Sequence, residues 1–524
     1  MGAASEAALA KDFFARIEEN GKRIRWQKPA GHGGFNNRSR RREEADFCNK
    51  SSSASSRRRL RRLGRFLNPP FRLARTSDLP SPGLQGRCSV ATDNAHFMRY
   101  APINSQLFTE NRASLHRLML PNALAVVNAN DILPTNADGT LLLKPNADLF
   151  YLSGIEQEES ILLIYPDAHE EKMREILFLR ESNESMEIWE GHKLTKKEAR
   201  ELSGIERVEW LSEFPGLFHR LMCECEHVYL NSNEHKRATV VVETRDARFV
   251  KDCQARYPLH QYHRLARLLH RLRVVKSDVE IELIRRACAM TEKGFRRAAK
   301  LIKPGVKEME IEAEFGHEFV RQGGGFAYSP IIATGRNACV LHYVANNQTC
   351  RKGELVLIDV AASYANYHSD LTRTLPVTGR FTRRQRQVYN AVLRIFRQSC
   401  KLALPGKLPK DWQKEGEALV EKELVDLGLL KITEIKKQDP DNPAFKKYFM
   451  HGVGHPLGLD VHDVGLTTEP IQPGWVLTCE PAIYVQEEGF AVRLENDILV
   501  TDNGYVDLMG SIPIEADEIE ELMK

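Results

Sequence analysis

The spacing of apolar and polar positions divides the chain into three stretches. Over residues 1–97 the apolar positions follow neither a helical nor a strand period, and "NNRSRRREEADFCNKSSSASSRRRLRRLGRF" is built from Ser and Arg runs. Such a stretch has too little apolar surface to offset the entropy of ordering, so a disordered leader is expected. From about residue 105 short apolar runs begin. "ALAVVNAN", "SILLIYP", "EILFLR", "HVYLN" and "TVVVE" predict strands, and "TKKEARELSGI" predicts one of the helices between them. The alternation predicts an α/β domain over residues 98–265. The third stretch, 266–524, opens on a long helix. Ser277 and Glu280 form a capping-box pattern, Ile281, Ile284, Cys288, Thr291, Phe295 and Ala298 follow at helical spacing, and Pro304-Gly305 ends it. A second helix, "EMEIEAEFGHEFVRQ", stops at three glycines. Further helices are expected around 382–402 and 411–428, among strand-rich segments.

Composition narrows the class. The 524 residues are 42% hydrophobic and 28% charged, as in a soluble globular protein, and no run of eighteen apolar residues predicts a membrane span. No apolar signal region opens the chain. Ten cysteines without a C-x-x-C pair fit a reducing cytoplasmic setting better than a disulfide framework or a zinc ribbon. Net charge is +4, but residues 1–97 hold 20 Lys+Arg against 9 Asp+Glu, a balance of +11 that leaves the rest at −7. The basic character therefore belongs to the leader. A basic tail, a transit peptide and sequence upstream of a start at Met98 all fit it. For the body neither a nucleic acid nor a membrane partner is expected.

Candidate chemistry lies in the last third. "HGVGHPLGLDVHD" gathers His451, His455 and His462. "LVLIDVAASYANYHSDLTRTLPV" has a hairpin pattern. With the turn at Tyr364-Ala365, residue numbers pair to a sum of 729 and Asp359 lies directly opposite Asp370. Like charges so placed repel, and a cation would remove the penalty. For this pair alone, one buried and one exposed Asp would serve equally well. "GWVLTCEPAIYV" ends a strand at Glu480, and "FAVRLENDILV" sets Arg493 and Glu495 on one strand face with Val492 and Leu494 on the other. Taken singly, each Glu is explained by a structural salt bridge. Asp359, Asp370, His455, Glu480 and Glu495 together form an oxygen-rich, thiolate-free set. It suits a pair of hard or borderline divalent ions such as Mn²⁺.

In order and spacing this set resembles the metal-binding set of the pita-bread metallopeptidases. "YHSDLTRT", "HGVGHPLGLDVHD", "CEPAIY" and "VRLEND" resemble its proline-directed branch, aminopeptidase P and prolidase, and "TNADGTLLLKPNADLFYLSGI" resembles the aminopeptidase P N-domain. The resemblance runs from roughly residue 105 to 505 and leaves the leader without a counterpart. It implies an α+β protein with a creatinase/methionine aminopeptidase-like pita-bread catalytic domain behind an α/β N-domain. It also implies two divalent metal ions, with Mn²⁺ expected, and a homo-oligomer, dimer or tetramer. His455 would share one metal with Glu480, Asp359 would hold the other, and Asp370 and Glu495 would bridge. His462 resembles the histidine that stabilises the tetrahedral intermediate. His451 and His342 resemble further active-site histidines, for which a hydrogen-bonded structural role is the alternative. Arg493 resembles an arginine paired with active-site groups, the alternative being a plain salt bridge. Glu480 would shuttle the proton to the leaving proline nitrogen. Asp138 resembles an N-domain Asp that faces the substrate amine across a subunit contact. Ala361 and Ala482 stand where the family often has Gly, and each adds a methyl expected to narrow the pocket.

The implied activity is release of the N-terminal residue from peptides with proline second. Prolidase action on dipeptides is the alternative, and a non-catalytic binding module the remote one. The N-domain resemblance favours the aminopeptidase, and the intact ligand set argues against the module.

Overall fold

The runs "ALAVV", "ILLI" and "EILFL" read as continuously apolar because the sheet they form is covered on both faces. The computed structural model describes residues 98–239 and 241–524, so the leader expected over 1–97 lies outside the described residues. Six strands, β1 (Ala123–Asn128), β2 (Ile161–Ile164), β3 (Glu175–Leu179), β4 (Val208–Trp210), β5 (His227–Leu230) and β6 (Gln261–Arg264), form one sheet in the order β4-β3-β2-β1-β5-β6. Alternate residues feed two cores: Ala125, Val127, Leu162 and Leu177 on one side, Leu124, Val126, Leu163 and Phe178 on the other. "TKKEARELSGI" forms the helix Lys196–Ser203, with a Thr195/Glu198 capping box and a left-handed Gly204 at its end.

Of "TVVVE", Val240 lies outside the described residues and the others form no strand. Val241 and Val242 are exposed, and the place beside β5 belongs to β6, which pairs with it in parallel. A parallel return needs a crossover of a dozen or more residues. The valines follow β5 too soon, and the helix Arg245–Arg256 makes the crossover instead.

In the second half, Ser277 caps the helix Asp278–Leu301 through the expected capping box, and the helices Glu308–Arg321, Arg383–Leu402 and Pro409–Asp426 follow. The strands are β7 (Gly325–Phe326), β8 (Ile331–Thr334), β9 (Leu355–Asp359), β10 (Ala362–Tyr364), β11 (Tyr367–His368), β12 (Thr372–Pro376), β13 (Val476–Cys479), β14 (Ala482–Val485), β15 (Phe490–Arg493), β16 (Asn496–Thr501) and β17 (Gly504–Asp507). They form small sheets ordered β11-β10-β7, β12-β9-β8, β13-β16-β17 and β14-β15.

The hairpin register differs from the expected one. Asp359 pairs with Thr372 and Tyr364 with Tyr367, so the turn is Ala365-Asn366 and Asp370 is diagonal to Asp359. Both turn residues have positive φ, +49° and +64°, the requirement of a two-residue type I′ turn. Asn tolerates that conformation far better than Tyr. An offset of two residues keeps both carboxylates on one face, whereas an offset of one would have sent them to opposite faces. The expected strand through Arg493 and Glu495 is also interrupted. β15 ends at Arg493 and β16 begins at Asn496, with Glu495 bridged to Thr372 between them.

Candidate metal centre

Strand ends of the four small sheets bring four carboxylates together, and His455 joins them from the stretch beside β13. Asp359 closes β9, Asp370 lies between β11 and β12, Glu480 follows β13, and Glu495 sits between β15 and β16. His455 is held against β13, its backbone N–H donating to Thr478 Oγ1 at 3.0 Å. That approach needs Gly454, because a Cβ there would lie 2.0 Å from the Thr478 carbonyl. Donor atoms of Asp370, His455 and Glu495 lie within 4.8 Å of one another. His455 Nε2 is 3.6 Å from Asp370 Oδ2 and 3.7 Å from Glu480 Oε1. These separations are too long for hydrogen bonds, yet suit donors around a shared ion at about 2.1 Å from each.

Hydrogen bonds aim the donors. His455 Nδ1–H donates to the Pro456 carbonyl at 3.0 Å, which leaves the Nε2 lone pair facing the carboxylates. Thr372 Oγ1 donates to Glu495 Oε2 at 2.7 Å and accepts from Arg493 Nε at 3.1 Å. Arg493 also pairs with Asp359 and donates to Tyr484 Oη at 3.0 Å. Tyr328 Oη, against Asp359 Oδ1 and 2.6 Å from Asp370 Oδ1, shares one proton between two carboxylates.

Without a cation the cluster is poorly neutralised. Burial, then repulsion from Asp359 and Asp497, pushes the Asp370 carboxyl well up. Burial and Asp370 do the same to Glu495, and burial raises Glu480 to about 7. Four carboxylates line the cavity with two guanidiniums, Arg493 and Arg237, a surplus of negative charge that divalent ions would neutralise. The donor set therefore fits such ions.

The three clustered histidines differ. His451 has both ring nitrogens engaged: Nδ1–H donates to Gly452 O and Nε2 accepts from Tyr484 Oη, each at 2.8 Å. His462 faces Arg237, whose Nη1 is 3.4 Å from Nε2 and 3.5 Å from Nδ1, and its ring meets that of His455 edge-on at 4.5 Å. Burial lowers all three, His451 and His455 to about 3 and His462 to about 4, so each is neutral near pH 7.

A cavity of about 300 Å³ is lined by all five donors and by His342, His451, His462, Arg493 and Tyr328. It adjoins a larger one, about 450 Å³, through His455, His462 and Arg237. Asp138 is outside both, exposed in the hairpin closed by the Pro134–Thr140 bridge. Ala361 and Ala482 are buried and line neither cavity, so their methyls do not narrow it. Sequence reasoning missed Tyr328, Tyr484, Thr372, Arg237 and Asp497. Asp497 accepts from the Asp370 backbone N–H at 3.0 Å. It lies two residues beyond Glu495, a spacing that shares a strand face and was visible in "ENDILV".

A profile described as metallopeptidase family M24 matches residues 282–502, and one described as aminopeptidase P, N-terminal domain, matches residues 108–229. The chain is similar to Xaa-Pro aminopeptidase of Escherichia coli (strain K12), 34% identical over 80% of this chain and 98% of that protein. It is 33% identical to Xaa-Pro aminopeptidase 3 of Homo sapiens, over 72% of this chain and 76% of the relative. Zn-substituted E. coli aminopeptidase P in complex with product matches with a TM-score of 0.71 at 33% identity, covering 81% of this chain and 99% of that one.

Proposed function

The chain belongs to metallopeptidase family M24, in its aminopeptidase P branch, and from that premise we propose a dinuclear Mn²⁺ centre that releases the N-terminal residue from peptides with proline second. The fold is α+β, an N-domain followed by a pita-bread domain, and the protein is a metallo-exopeptidase. The observation that carries the assignment to this site is the convergence of Asp370, His455 and Glu495, with Asp359 and Glu480 beside them. His455 and Glu480 would hold one ion and Asp359 the other, with Asp370 and Glu495 between them. Bound divalent ions lower the pKa of water and polarise the scissile carbonyl.

This chain's residues supply the rest. Glu480 takes the proton of the attacking water and passes it toward the proline nitrogen, which carries no N–H of its own. Neutral His462 donates an N–H to the carbonyl oxygen as negative charge develops there. Arg493 holds Asp359 and Tyr484, Tyr484 holds His451, and His342 lines the mouth. Among the described residues no helix is long and apolar enough to cross a membrane. A cytoplasmic setting is our reading.

The direct test offers Xaa-Pro dipeptides and Xaa-Pro-Yaa tripeptides to the Mn²⁺-loaded protein. The tripeptide should win by roughly 10-fold or more in kcat/KM, about 1.4 kcal/mol or more of transition-state preference. Turnover confined to dipeptides would make the protein a prolidase. Retention of every ligand type argues against a non-catalytic module.

Asp138 would act from a second copy of the chain. Its hairpin leads into Leu141 and Leu142, 54% and 99% exposed, apolar surface that a homo-oligomer would cover. Asp138→Ala should raise KM more than it lowers kcat. Identical kinetics in the variant would remove Asp138 from the site.

A further inference from the structure

Residues 457–463, which carry His462, form neither helix nor strand. Backbone bonds tie their start, Leu457 N–H donating to Val476 O at 3.0 Å and His368 N–H to Gly458 O at 2.9 Å, and a set of ion pairs holds the part around His462. Arg273, 3% exposed at the end of the helix Ala266–Val274, gathers three carboxylates. Its Nη1 is 2.7 Å from Asp148 Oδ1, and its Nη2 is 2.6 Å from Asp463 Oδ1 and 3.0 Å from Asp460 Oδ2. Lys276 Nζ pairs with the other oxygen of Asp463 at 3.1 Å, and Lys144 Nζ with Asp460 Oδ1 at 3.0 Å. Three cations meet three carboxylates. Gly458 is part of the arrangement, since a Cβ there would lie 2.2 Å from Asp463 Oδ2.

His462 stands between two of these anchors, Asp460 and Asp463. Lys144 and Asp148 come from the N-terminal domain, where Asn231 Nδ2 fixes the second oxygen of Asp148 at 2.8 Å. Buried ion pairs contribute little net stability against an apolar replacement, because desolvation cancels much of the attraction. What a guanidinium spanning three carboxylates supplies is fixed geometry.

We propose that Arg273, with Asp148, Asp460 and Asp463, is a positioning device for His462, through which the N-terminal domain sets the rate of peptide hydrolysis. The inference rests on the role of His462 proposed above. Arg273 touches none of the five metal donors, so it acts through the loop.

The test is a double-mutant cycle on the full chain with its metal bound. Asp148→Asn keeps the side-chain volume and the contact from Asn231 while weakening the Arg273 anchor. It should lower kcat roughly 10-fold, the scale of a small misplacement, with KM within a factor of about two and metal content unchanged. In a His462→Ala background it should lower kcat no further. Arg273→Lys, which keeps the charge but cannot span three carboxylates, should reproduce the loss. An equal loss in both backgrounds, or full activity of Asp148→Asn and Arg273→Lys, would overturn the inference. So would a His462→Ala protein as active as the parent, although the peptidase assignment would then still stand. Only an inactive parent chain would refute that assignment.

Discussion

Asp370→Asn should give a folded protein that no longer retains its metal ions and has lost roughly 10³-fold or more of kcat/KM. Metal-ion catalysis supplies several kcal/mol of transition-state stabilisation, and each 1.4 kcal/mol is a factor of ten. Asp370 is the sensitive position because its two oxygens face different halves of the site. Oδ1 is 2.6 Å from Tyr328 Oη, which also touches Asp359, and Oδ2 is 3.6 Å from His455 Nε2. A neutral amide offers one weak donor where a carboxylate offers two charged ones.

The same substitution should act on stability in the opposite direction. Glu480 has its folded pKa raised from 4.5 to about 7 by burial, and Asp370 and Glu495 are raised as well. A group raised in the folded state contributes stability below its unfolded pKa and loses it as pH rises through the folded value. Metal-free parent protein should therefore lose stability as pH rises from about 4.5 to beyond 7. Asp370→Asn removes one of the repelling charges and should blunt that loss. Added Mn²⁺ should raise the Tm of the parent at alkaline pH, because an ion that binds only the folded state stabilises it, and should leave the variant unchanged. Thermal scans at two pH values with metal analysis read all of this. Two ions still bound to an inactive Asp370→Asn protein would contradict the bridging role.

Much of this site was legible because its donors sit at strand ends within short motifs. A hydrophobic run that stops at a carboxylate is a local signal, and Asp359, Glu480 and Glu495 all carry it. The hairpin register was misplaced by two residues, and the placement of Asp359 and Asp370 on one face survived because side chains alternate with period two. What was missed depends on contacts distant in sequence. Tyr328 precedes Asp359 by 31 residues, and Arg273 meets Asp148 and Asp463 across 125 and 190. "TVVVE" failed for a topological reason, since its valines fit a strand but the chain had no length to return in parallel.

His462→Ala should lower kcat by roughly 10²–10³, about 2.7–4 kcal/mol and the scale for removing one oxyanion donor, while the metal stays bound. The contacts of the three clustered histidines support the parts proposed for them. His455 alone has its Nε2 among the carboxylates, with Nδ1 committed to the Pro456 carbonyl. His451 spends both nitrogens on Gly452 and Tyr484, so it has no lone pair left for an ion. The nitrogens of His462 face Arg237 instead of a carboxylate, on the wall shared by the two cavities. Burial, with Arg237 adding repulsion, holds the ring neutral down to about pH 4. A neutral imidazole still carries one N–H to donate, and it does not carry a second positive charge next to the metal donors. The loss should therefore fall on kcat more than on KM, because the bond strengthens only as charge develops on the oxygen. Metal analysis of the purified variant decides the matter. If His462→Ala loses an ion along with its activity, His462 is a ligand and the division of labour among the three histidines is wrong.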